Sequence, residues 1–104
     1  AMDYLDKNKI IIYKSYENFL TKKKKSRVLL MTTKSDKIYY DFKFDIQDTL
    51  LFGRESAGVP NIVHKNSYER LKIPLEKNKR SLNIGMAVAI TLSEALKQNM
   101  FNFK

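Results

Sequence analysis

The sequence predicts an α/β domain built on a largely parallel sheet, and three observations carry that prediction. Short β-branched or aliphatic runs recur at Lys9–Tyr13, Arg27–Met31, Asp48–Phe52 and Arg70–Leu75. Helical or turn-forming residues separate most of them, so strands alternate with crossovers. The stretch from Leu82 to about Met100 then reads as one long helix without an interior proline.

Each element has a local reason. Ile10, Ile11 and Ile12 suit a short buried strand, and Ser15 stands as an N-cap before Tyr16-Glu17-Asn18-Phe19-Leu20. That helix closes on Lys22, Lys23, Lys24 and Lys25, where cations meet the negative end of the helix dipole. Arg27-Val28-Leu29-Leu30-Met31 starts the second strand. Residues 34–48 alternate aromatic and charged types, with Tyr39, Tyr40, Phe42 and Phe44 among them, and fit an irregular surface segment or an edge strand, of which the loop is the reading adopted. Asp48–Phe52 is the third strand and runs into Gly53; Gly58-Val59-Pro60-Asn61 opens a short helix to about Lys65. Arg70–Leu75, with Pro74 near its exit, is the fourth strand. In the last helix Ile84, Ala87, Val88, Ile90, Thr91, Leu92, Ala95 and Leu96 cover most of the circumference. A helix apolar on so many sides predicts burial partly against a second subunit, hence a homodimer.

A chain of 104 residues supports one core, so residues 1–104 are expected to form a single domain. Ala1-Met2 is what a trimmed expression tag leaves before an initiator. The absence of cysteine excludes disulfides and thiolate metal sites, and no apolar run approaches the roughly 20 residues needed to span a bilayer. With no secretory-type N-terminus either, the expectation is a cytoplasmic protein. Lys and Arg outnumber Asp and Glu by 20 to 11, a formal charge of +9 that favours a polyanionic partner, RNA or DNA first. His64 has no second histidine and no carboxylate at a ligating spacing, so it offers neither a metal site nor a triad and is expected on a helix surface.

Two motifs carry chemistry. In Leu51-Phe52-Gly53-Arg54-Glu55-Ser56-Ala57-Gly58-Val59-Pro60, Gly53 lets a ligand approach the end of a strand, Glu55 can accept hydrogen bonds at the mouth of the site, and Gly58 permits a sharp turn. Further on, Ile73-Pro74-Leu75 is followed by Arg80-Ser81-Leu82-Asn83 before the long helix, with Ser81 as cap and Asn83 in the first turn. In that order and spacing, and with Leu30-Met31-Thr32-Thr33-Lys34 at an earlier strand end, they resemble the motifs of SPOUT RNA 2'-O-ribose methyltransferases of the TrmH/SpoU type, the TrmL-like branch in particular.

The resemblance covers nearly the whole chain from Asp3. It implies a C-terminal trefoil knot, which no rule of composition would suggest, with S-adenosylmethionine bent within it. By position it implies cofactor contacts at Met31, Gly53, Ile73, Leu75, Ser81, Leu82 and Asn83. It sets Glu55, Ser81 and Asn83 beside the reacting groups, where they orient the acceptor ribose and an arginine. No metal is needed. The implied substrate is tRNA, methylated at the wobble nucleotide, with Lys22, Lys23, Lys24, Lys25, Arg54 and Arg80 as RNA contacts. One departure matters. The family's arginine belongs to an N-terminal Asn-x-Gly-Asn-Ile-x-Arg motif that does not occur here. The expectation is therefore an N-terminally truncated SPOUT domain, its C-terminal two-thirds. Two readings follow: an active methyltransferase, or a non-catalytic remnant or split-gene fragment that binds only cofactor or RNA.

Overall fold

The computed structural model describes residues 10–23, 26–45, 47–53, 59–74 and 83–100. Four strands, β1 (Ile10–Ile12), β2 (Val28–Met31), β3 (Thr49–Phe52) and β4 (Glu69–Leu71), form one sheet in the order β1-β3-β2-β4. Every neighbouring pair is parallel. Helices α1 (Tyr16–Lys23) and α2 (Asn61–Asn66) are crossovers, and α3 (Ile84–Met100) follows the last strand.

The two-residue period of the strands sorts the core into two layers. Ile11, Val28, Leu30 and Leu51 point to one face, covered by Phe19 of α1, by Val59 ahead of α2 and by Val63 within it. Leu29, Met31, Leu50, Phe52 and Leu71 point to the other, packed with Phe44 and Ala95. Local signals fix the helix ends. Ser15 Oγ accepts the Asn18 amide at 3.1 Å, as an N-cap should. Pro60, at φ −61°, leads into α2.

On α3, Thr91 and Ala95 are fully buried, and Ala87, Val88, Leu92 and Leu96 pack on the same layer. Their spacing is that of a single helical stripe. Ile84 and Ile90 are half-buried, while Met86 and Ala89 are exposed, so the described residues do not enclose the helix on all sides.

Residues 34–48 differ from the surface loop adopted for them and meet the edge-strand alternative at one bridge. Ile38 pairs in parallel with Lys72 and so covers the outer side of β4, and a 3-10 turn follows at Tyr39–Asp41. Phe44 is buried, and Tyr39 and Phe42 pack beside it. The segment serves as part of the layer over the sheet. Gln98 ties it to α3: its Nε2 donates to Phe42 O at 2.9 Å and its Oε1 accepts the Phe44 amide at 2.7 Å. The fourth strand also ends earlier than expected, at Leu71, with only a bridge at Lys72.

A second fastening sits at the amino ends of the strands. Arg27 donates from Nε to Asp48 Oδ1 at 2.6 Å and from Nη2 to Oδ2 at 2.7 Å. Asp48 is 1% exposed, and its Oδ2 also accepts the Asp45 amide. This bidentate contact holds the guanidinium pKa above its ordinary value, against the lowering effect of burial.

Candidate cofactor site at the carboxyl edge of the sheet

All four strands being parallel, their carboxyl ends share one edge, the place where open α/β sheets take ligands. Met31 ends β2 and stands in register with Phe52 of β3 and Leu71 of β4. Gly53 follows Phe52 directly, and Ile73 lies two residues past Leu71. Three residues singled out from separate parts of the sequence are thus gathered by strand pairing alone. Met31 is buried, while Gly53 and Ile73 are half-buried. The edge therefore combines apolar side chains with backbone that has run beyond its last strand pair. That combination fits an adenosyl group, which needs an apolar slot and main-chain partners for its ring and ribose.

Asn83 approaches from α3. The late turns of that helix, through Gln98, meet Phe42 and Phe44 near the amino ends of the strands, so the helix runs back along the sheet and begins near the carboxyl edge. Asn83, expected in the first turn, caps the described helix: Oδ1 accepts the Met86 amide at 2.9 Å and the main-chain oxygen accepts the Ala87 amide at 3.0 Å. An asparagine supplies that acceptor as well as serine does, so the sequence signal was ambiguous between them. Glu55, Arg54, Leu75, Arg80, Ser81 and Leu82 lie outside the described residues, as do Lys24 and Lys25.

Lys22 and Lys23 occupy the last turn of α1, which leads into the amino end of β2. The structure therefore sets them at the opposite edge from Met31, Gly53 and Ile73. Among the described residues, cations that follow strands at the carboxyl edge include Lys34, which closes the Leu30–Lys34 motif, and Lys72, which the sequence motifs did not single out. For Lys72 the available signal was its position directly after a strand. Lys37 is engaged, donating from Nζ to Glu69 Oε2 at 3.0 Å, and that bond lowers the Glu69 pKa. His64 is half-buried on α2; burial first, then Lys34 and Arg70, push its pKa below 6.5. Its main-chain oxygen accepts Arg70 Nη1 at 2.6 Å. Among the described residues no cluster of acidic or imidazole groups could hold a metal ion, and no helix is long and apolar enough to cross a membrane.

A parallel α/β sheet that collects Met31, Gly53 and Ile73 at its carboxyl edge has the architecture in which open α/β proteins take their ligands. More narrowly, the chain belongs to the SpoU rRNA Methylase family, whose match runs over residues 1–93. A tRNA (cytidine(34)-2'-O)-methyltransferase of Beijerinckia indica is 43% identical over 100 residues, covering 94% of this chain and 62% of the relative. Among solved structures, one concerned with 2-OH methylation of C/U34 on tRNA superposes with a TM-score of 0.72 at 34% identity, over 83% of this chain and 57% of that one. The SpoU methyltransferase AviRb of Streptomyces viridochromogenes, in complex with AdoMet, gives 0.68 at 25% identity, over 84% of this chain and 34% of its own. The chain thus spans less than two-thirds of the length of these relatives.

Proposed function

We propose that this chain is the cofactor-binding part of an S-adenosylmethionine-dependent methyltransferase that acts on the ribose 2'-hydroxyl of a tRNA, at the wobble nucleotide. The observation that carries the reading is the convergence of Met31, Gly53 and Ile73 at the carboxyl edge, in a chain whose close relatives bear that activity in their names. When bound, the cofactor supplies an electrophilic methyl group.

The chain's residues bind, orient and handle a proton. Met31 and Ile73 offer apolar contact, and the backbone at Gly53 and Leu75 offers hydrogen bonds. Asn83 Oδ1 is committed to the Met86 amide, which turns its amide NH2 into the group that can donate to a ligand. Glu55 and Ser81 stand by the acceptor ribose, where a carboxylate can take up the hydroxyl proton as the oxygen attacks. Leu82 completes the pocket within a knotted C-terminal segment. Arg54, Arg80 and the Lys22–Lys25 run contact the tRNA, and α3 pairs two copies through its uncovered side. The protein works in the cytoplasm, where its substrate is.

Titration calorimetry with S-adenosylmethionine tests the site. Asn83→Asp keeps a helix cap while removing the donor, so binding is expected to fall by roughly tenfold at an unchanged melting temperature. Undiminished binding would move the cofactor elsewhere. Methyl transfer from labelled cofactor to a tRNA pool, mapped to position 34, tests the reaction.

A further inference from the structure

The amino edge of the sheet carries a feature that the cofactor site does not use. Tyr68 is 58% exposed, the most open of the large apolar side chains described. Its main-chain amide donates to Val28 O at 2.9 Å, which pins it beside the start of β2. The Arg27 guanidinium lies over its ring at 4.6 Å from the centroid and over that of Phe42 at 5.3 Å. Arg27 cannot swing away, because both its Nε and its Nη2 are held by the buried Asp48. One face of the tyrosine is thus backed by a fixed cation while much of the ring remains in water. A lone surface tyrosine is mobile; this one is a braced aromatic plate.

The surroundings are basic. Lys65 precedes Tyr68 by three residues on α2, and Lys22 and Lys23 end α1 just before Arg27. Two neighbouring carboxylates are neutralised by cations, Asp48 by Arg27 and Glu69 by Lys37, while the exposed Asp45 accepts the Gln47 amide. An aromatic plate among lysines matches the two needs of a single-stranded nucleic acid, a surface for the base and cations for the phosphate.

We infer that Tyr68, braced by Arg27, is a stacking platform for an unpaired base of RNA, at the edge of the sheet opposite the cofactor site. RNA as the partner class rests on the function proposed above; the platform itself rests on the geometry. The guanidinium beneath the ring strengthens the contact by cation–π attraction and limits the entropy lost on docking. Stacking of this kind accepts any base, so the platform anchors the substrate without selecting its sequence.

The test uses a short unstructured oligoribonucleotide containing 2-aminopurine, whose fluorescence is quenched when the base stacks. The wild-type chain is expected to quench it. Tyr68→Phe should retain quenching and affinity, and Tyr68→Ala should lose the quenching and bind roughly tenfold more weakly. The salt dependence should stay the same, since every phosphate-facing cation is still present. Cofactor binding by both variants, measured by calorimetry, should match the wild type and report an intact fold. No quenching by the wild type, or equal binding and quenching by Tyr68→Ala, would overturn the inference. Because the readout involves no methyl transfer, it is decided separately: an inactive chain that quenches through Tyr68 keeps the platform, and an active chain indifferent to Tyr68 loses it.

Discussion

Arg27 and Asp48 show how much one pair can carry. The carboxylate is 1% exposed and the arginine side chain 34%. Removing the cation leaves a buried, desolvated anion with one main-chain donor, so Arg27→Ala is expected to destabilise the chain by about 3 kcal/mol in a denaturant titration, the low end for a buried pair because a third of the arginine meets water. Arg27→Lys should recover only part of this, since an ammonium cannot make the bidentate contact. His64 gives a pH signature. Its folded pKa lies below the unfolded 6.5, so between those values the unfolded chain holds the extra proton. Stability is therefore level above the unfolded pKa and falls as pH drops through the window. His64→Gln should flatten that fall, measured as the denaturation midpoint from about pH 7 to about pH 5. An unchanged slope would place the acid sensitivity in other groups.

At the scale of elements, Gln98 is the clasp between α3 and the Tyr39–Phe44 segment. Gln98→Ala leaves Phe42 O and the Phe44 amide without their partner, at a cost of about 1–3 kcal/mol. Faster hydrogen exchange at the Phe44 amide would check it. That segment was also the least legible part of the sequence. Four strands and three helices could be read from runs, caps and punctuation, because their signals are local. The alternation of aromatic and charged residues at 39–44 is interrupted by a 3-10 turn at Tyr39–Asp41, and what the segment meets is set by a helix over fifty residues away. The same holds for Arg27 and Asp48, ordinary surface types whose pairing appears only when β2 and β3 align. At the candidate site, the glycines of the Gly53–Gly58 motif stood out by composition. Met31 and Ile73 did not: their apolar identities suit a core equally well, and only their alignment at adjacent strand ends distinguishes them.

For the whole molecule, charge is the property most open to test. The chain carries +9, and if the Lys22–Lys25 run meets phosphate, replacing all four with Ser should lower the slope of log affinity for tRNA against log salt by about 0.7–0.9 for every phosphate that is no longer neutralised. An unaltered slope would remove them from the interface. Sedimentation of the same material reports whether the uncovered side of α3 joins two copies. The strand order has an effect of a different kind, on the timing of synthesis. β1 and β2 are not neighbours; β3 lies between them and is the described ladder partner of both. Until residues 49–52 are made, β1 and β2 have no access to that ladder, and their backbone edges on that side wait unpaired. Once Phe52 clears the exit tunnel, one strand inserted into the gap can zip β1 and β2 together in a single late step, and β4 then adds to the free edge of β2.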